Sequence, residues 1–331
     1  MKRIRVAILL ISAAFLACSR TDSWLTEEPS PTPQPTATHT PSPTTTPSPS
    51  PIPSATPLDI EGEIAIVSDR DGSYQVYLMN ADGSDVRQLT YGPGENTKPA
   101  RSPDGAYVAF TSARDGDREI YIMWNDGSDQ VNFSDHPGDD HSPAWSPDGS
   151  AIAFVANIEG FDQLTVLSLD GSLRAGLRGG VAYPQASVCC VSWYSNTGVT
   201  STGIEDGVGS ITSYELTSQS LFIQRDVDRG GFSECCVAYS PTDDSFLQIS
   251  SKSGVEQIYW EGGPEGGSVQ LTYHAQGSHG PSRSLDGEWI AYYAEQDGAF
   301  DVFLMRPTAP EPPNLTSHPA NDLEPAWRPS P

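Results

Sequence analysis

The feature that most constrains this chain is a short cassette, SPAWSPDG at 142–149, that returns along the sequence. Aligned on its proline, it falls at Pro99 (KPARSPDG), Pro143 (SPAWSPDG), Pro281 (GPSRSLDG) and Pro325 (EPAWRPSP). Two degenerate copies, CCVSWYSNTG and CCVAYSPTDD, place Ser192 and Val237 at the proline position. The steps between these positions are 44, 49, 45, 44 and 44 residues. A period of this size marks a chain built from copies of one supersecondary unit, each needing its neighbours to bury a core.

Each unit reads as four short strands. The first is the PAW strand, ended by a Pro-Asp-Gly turn whose glycine tolerates positive φ. The second is apolar: Val108–Phe110, Ile152–Phe154, Ile290–Tyr292. The third is Val76–Met79, Ile120–Met123, Leu164–Leu167 or Val302–Met305. The fourth is short and often ends in Leu-Thr: Leu89-Thr90, Leu271-Thr272, Leu315-Thr316. Asp-Gly pairs such as Asp82-Gly83 and Asp126-Gly127 sit between strands, as hairpin turns require. Four strands in a unit of this length is the pattern of a β-propeller blade.

The ends of the repeat region carry a further expectation. It opens on a second-type strand, Glu63–Ser68, and ends on a PAW strand, Pro325–Arg328. The expected fold is therefore all-β: a six-bladed β-propeller with four-stranded blades, its C-terminal strand completing the blade begun at the N-terminus. Such closure removes exposed sheet edges. The PxWSPDG motif followed by IAF, repeated from Ile60 to Pro331, resembles the TolB-like, WD-like β-propeller repeats. The segment ahead of the repeats is not expected to form the separate domain that precedes the propeller in TolB. TolB's own partner contacts are therefore not implied.

Residues 1–17 read as a signal peptide: Lys2, Arg3 and Arg5 precede an apolar core from Val6 to Leu16. Ala17-Cys18 follows and resembles a bacterial lipobox, which implies a lipidated Cys18 as the mature N-terminus. Residues 18–57 form a tether; of the 29 residues from Pro29 to Pro57, 11 are Pro and 13 are Ser or Thr. That composition buries no core and favours an extended stalk, roughly 90 Å long at ~3.1 Å per residue. The propeller occupies 58–331. The formal net charge is −25, which argues against nucleic acid and against adhesion to anionic lipid. The membrane is reached through the lipid anchor alone.

The remaining cysteines form two adjacent pairs, Cys189-Cys190 and Cys235-Cys236, in neighbouring units. In an exported protein they are candidates for disulfides, with connectivity left open. Two residues before the aligned proline position the units carry Thr97, His141, Cys190, Cys235, His279 and Leu323. Two His and two Cys at one level are also a plausible zinc set: His141, Cys190, Cys235 and His279. Three residues before it stand Asn96, Asp140, Cys189, Glu234, Ser278 and Asp322. Asp140, His141, Glu234, His279 and Asp322 are thus candidate binding residues at the channel mouth. No cofactor is expected, with zinc or another divalent cation as the alternative. The resemblance implies a precedent for a metal, because some propeller lyases of this repeat class hold one there. Trp145, Trp327, Tyr194 and Tyr239 are expected to pack between blades.

No GxSxG elbow, HExxH or P-loop is present, so no catalytic residue is named. The expected protein is a cell-envelope lipoprotein on the outer face of a bacterial membrane, in the periplasm or at the cell surface. Its monomeric propeller binds an envelope protein or a cell-wall ligand. The alternatives are a polysaccharide lyase-like enzyme with a metal at the channel mouth, and a sensor or solute-binding lipoprotein.

Overall fold

The structure is a computed structural model describing residues 60–327, except 136, 171–172, 177–186, 206–207, 217–220, 229–236, 241–244, 263–265, 285 and 309–311. The leader, Cys18, the tether, Glu234, Cys235 and Cys236 lie outside the described residues, as does the side chain of Cys189. The described residues contain strands and turns and no α-helix.

The strands form six antiparallel sheets. The first holds β1 (Glu63–Ser68), β2 (Gln75–Asn80) and β3 (Arg87–Gln88). The second is β4 (Asn96–Arg101), β5 (Tyr107–Ser112), β6 (Glu119–Trp124) and β7 (Val131–Asn132). The third is β8 (Asp140–Trp145), β9 (Ala151–Ile158), β10 (Phe161–Ser168) and β11 (Leu173–Gly176). The fourth is β12 (Ser187–Trp193), β13 (Gly198–Glu205), β14 (Val208–Leu216) and β15 (Leu221–Asp228). The fifth is β16 (Val237–Ser240), β17 (Ser245–Ser250), β18 (Gln257–Glu261) and β19 (Ser268–Gln270). The sixth is β20 (His279–Arg283), β21 (Ile290–Gln296) and β22 (Ala299–Met305), with a single bridge from Phe303 to Asn314. The last strand, β23 (Asp322–Ala326), joins the first sheet in the order β23-β1-β2-β3, pairing Ala65 with Ala326 and Ser68 with Asp322.

The apolar runs of the second and third strands follow from burial on both faces. In β1 and β2, Ile64, Ile66, Tyr77 and Met79 pack against Ala291, Val302 and Leu304 of the sixth sheet. The alternate residues Ala65, Val76 and Leu78 pack against Val108, Phe110, Tyr121 and Met123 of the second. Successive side chains point to opposite faces, so one strand feeds two cores. The second sheet repeats this toward the third through Ala109, Ile120 and Ile122 against Ile152 and Phe154.

The Leu-Thr pairs fall just beyond the outer strands rather than within them. The threonine hydroxyl takes the place of a ladder carbonyl: Thr90 Oγ1 accepts from the Val76 amide at 2.8 Å and Thr272 Oγ1 from Ile258 at 2.9 Å. The Asp-Gly turns meet these pairs across the sheet interface. Gly127, at φ +88°, lies so close to its neighbour that an added Cβ would stand 2.8 Å from the Leu89 carbonyl oxygen. Gly127→Ala is therefore expected to cost about 2 kcal/mol or more, from positive φ together with the clash. Chemical denaturation reads this directly; an unchanged midpoint would contradict the contact.

Candidate functional site

The first strand of every sheet lies against the first strands of two others: β23 with β4, β4 with β8, β8 with β12, β12 with β16, β16 with β20, and β20 with β23. All six line one cavity of about 280 Å3. The cassette explains the lining. Its proline follows a residue held at positive φ in four sheets: Lys98 at 51°, Ser142 at 57°, Gly280 at 54° and Glu324 at 51°. Each sits in a β-bulge that breaks the pairing register of its strand. Non-glycine residues in this conformation are uncommon and mark places where the backbone is bent for a purpose.

Lys98, Ser142 and Glu324 contribute polar side chains to the wall, beside Arg101 and Arg283. Lys98 Nζ donates to Glu324 Oε1 at 2.8 Å, and the Lys98 amide donates to Oε2 at 2.7 Å. The second sheet and the terminal strand, neighbours along the wall, are thereby clasped together. At Gly280 the missing side chain leaves room for Tyr293, whose Cε1 would lie 2.6 Å from an added Cβ. Ser142 Oγ stands 3.0 Å from His141 Nδ1. Sequence reading missed Lys98, Glu324 and Tyr293. The signal for the first two was present, since the residue before the proline is a lysine in the first unit and a glutamate in the last.

The histidines named from sequence flank this wall without lining it. His141 is held beside Ser142, and burial pushes its imidazole below the ordinary histidine range. The His279 ring packs on Tyr293 at 5.3 Å, with Nδ1 3.4 Å from Glu256 Oε2. Asp140 and Asp322 are fully buried, so neither is presented at the mouth as expected. They belong to an internal polar network that recurs along the chain. In the second sheet Asn96 donates to Gln75 Oε1, which also accepts from Thr90, both at 2.8 Å. At the Asn96 position the first sheet has Asp322, bonded to Arg70 Nη2 at 2.8 Å. Arg114 reaches Asn96 in the same way, at 2.9 Å. In the third sheet Ile158 stands where those arginines stand, and Glu119 and Ser134 replace Gln75 and Thr90. Burial is the main cause that pushes the Asp140 carboxyl up to about 7; Ser134 opposes it, while Glu119, Asp117 and Asp139 add to it.

Indole hydrogen bonds correct the register in the fourth sheet. Trp145 Nε1 donates to the Ala100 carbonyl at 3.1 Å, and Trp193 Nε1 donates to the Ala144 carbonyl at 3.0 Å. Trp193, not Tyr194, is thus the equivalent of Trp145, and Val191 takes the proline position. The residue at the level of His141 becomes Cys189, while Cys190 lines the cavity at the level of Ser142. The degenerate unit hid this one-residue shift, because both WY and YS offered an aromatic for alignment. Among the described residues no three His, Cys, Asp or Glu side chains converge as a metal site. The burial expected of Trp145 and Trp327 holds, with both under a tenth exposed.

The TolB beta propeller domain family matches residues 53–132 and 92–189. The chain carries a TolB-like β-propeller. A TolB homolog from Chlorobium chlorochromatii is 44% identical over 48 residues, a stretch covering 14% of this chain and only 11% of that relative. The crystal structure of TolB from Acinetobacter baumannii superposes with a TM-score of 0.63 at 19% identity, covering 81% of this chain and 67% of that one. A chain of a nidogen/laminin complex superposes with a TM-score of 0.61 at 10% identity, covering 80% and 98%. At such identities the likeness is one of fold, shared across proteins with different work.

Proposed function

We propose that this protein is an exported, lipid-anchored binding scaffold of the bacterial envelope. Its TolB-like propeller is a six-bladed ring closed by β23, held away from the membrane on the Pro/Ser/Thr-rich tether. A partner envelope protein docks at the channel mouth, where His279, Tyr293 and Glu256 lie together. The observation that supports this reading is the convergence of six strands, drawn from residues 96–326, on one cavity. Function in such folds is grafted onto loops at the ends of the channel. The cysteine pairs staple the fourth and fifth units together in the oxidising compartment.

One in-cell experiment tests the reading. A photo-crosslinking residue is placed at Thr97, beside the mouth, or at Val269 on the exposed outer strand β19, in the natural chain and in Cys18→Ser. The natural chain is expected in the membrane fraction, crosslinked to one envelope protein from Thr97 and not from Val269. Cys18→Ser is expected in the soluble fraction. Equal crosslinking from both positions would remove the mouth as the docking site, and membrane retention of Cys18→Ser would remove the lipid anchor.

A further inference from the structure

The opposite ends of the sheets, where the Pro-Asp-Gly turns lie, hold a second feature. A groove of about 380 Å3 is lined by Pro103 and Pro147 of two successive turns and by the rings of Tyr107 and Trp145. Those rings stack with centroids 6.1 Å apart. Asp104 and Asp148 carry exposed carboxylates on the turns themselves. Trp124 extends the aromatic surface, its ring 4.4 Å from that of Tyr107, and it is 42% exposed. Asp126 follows two residues on, also exposed, and its hydrogen bonds from Ser128 hold the carboxyl below the usual range.

The sixth sheet shows what this cross-strand position accommodates. Val108 pairs with Met123, and Ile290 pairs with Met305. Trp289 therefore stands at the position of Tyr107, and Arg306 at that of Trp124. There the Arg306 guanidinium lies 4.4 Å over the Trp289 ring with Nη2 3.5 Å from Glu288. A guanidinium between an aromatic face and a carboxylate is thus already part of this protein. In the second sheet the fold supplies the ring and the carboxylates, and Trp124 occupies the place of the cation.

We infer that this groove docks an arginine-bearing segment of a partner protein. A guanidinium stacks on an indole face and donates to carboxylates in its own plane, which an ammonium does less well. The excess of 43 acidic over 18 basic residues steers such a segment toward the protein. Trp124, exposed beside the groove, is of the residue type that most often anchors a protein interface. The inference stands whether or not the channel mouth has a partner, because it uses the other end of the sheets.

The test is a binding titration of the full chain with a glycine-spaced hexa-arginine peptide, beside its hexa-lysine counterpart, at an ionic strength of about 0.15 M. The arginine peptide is expected to bind several-fold more tightly than the lysine peptide. Trp124→Ala is expected to weaken the arginine peptide about tenfold and leave the lysine peptide nearly unchanged. The Asp104→Asn/Asp148→Asn pair should weaken both. Trp124→Arg, which copies the sixth sheet, should abolish the preference by seating its own guanidinium on Tyr107. Equal affinity for both peptides, or arginine binding indifferent to Trp124, would overturn the inference in favour of a diffuse acidic surface. A dimer of the natural chain that Trp124→Ala dissolves would overturn it in favour of a second copy.

Discussion

Deleting residues 322–331 is expected to abolish the cooperative unfolding transition of the propeller. The deleted strand is short, but three kinds of interaction leave with it. Trp327 is buried against the first and sixth sheets and Ala326 against the first and second, and removing a buried tryptophan alone costs ~3–5 kcal/mol. Asp322, fully buried, is the partner of Arg70, and the deletion removes this ion pair as well. β1 would then become an unpaired edge along the whole apolar run EIAIVS. Against a total stability of roughly 5–15 kcal/mol, these losses leave no stable fold. Thermal unfolding followed by circular dichroism reads the outcome; a truncated chain melting at the natural temperature would refute the role given to β23.

The second large effect concerns Asp140. Burial pushes its carboxyl in the folded chain up to about 7, against an ordinary aspartate value of about 4. Between about pH 4 and pH 7 the folded state therefore holds a proton that the unfolded chain has released. Stability must fall as pH rises through that window and level off above it. Asp140→Asn removes the titrating group and installs the residue type that the second sheet uses at Asn96. The variant is expected to match the natural protein near pH 4 and to exceed it by about 2 kcal/mol or more above pH 7. His141 runs in the opposite sense, its lowered value costing stability as pH falls. The difference between variant and natural chain at each pH cancels that contribution. An equal gain at pH 4 and pH 8 would show that burial of the charge is not the cause.

The fold was more legible than the site, and particular residues show why. The cassette proline, the Asp-Gly turns and runs such as IAIV are local signals that recur, so the strand plan could be read directly. The outer strands were carried two residues too far, through the Leu-Thr pairs, because a threonine hydroxyl substituting for a ladder bond has no sequence pattern of its own. Asp140 and Asp322 looked like mouth residues because of their shared place three residues before the cassette proline, which does not show whether a side chain is buried. Only the partners, Arg70 at one and Ser134 and Glu119 at the other, reveal a buried network. The fourth unit was misaligned by one because its cassette had lost the proline that fixes the bulge. Its register rests on an indole hydrogen bond to the preceding strand. The Trp124 stack was invisible in sequence, since it needs the pairing of Tyr107 with Trp124.

The proposed closure of the ring by the chain's two ends has a direct chemical test. Lys98 Nζ and Glu324 Oε1 are 2.8 Å apart in the cavity wall, although 226 positions separate them in sequence. A zero-length carbodiimide joins an amine to a carboxylate only where the two already touch. Treatment of the native chain followed by peptide mass mapping is expected to recover a Lys98–Glu324 isopeptide bond. Lys252 and Glu261, 3.6 Å apart within one sheet, provide the internal control. Recovery of the control crosslink without the Lys98–Glu324 bond would contradict a ring closed by its terminal strand.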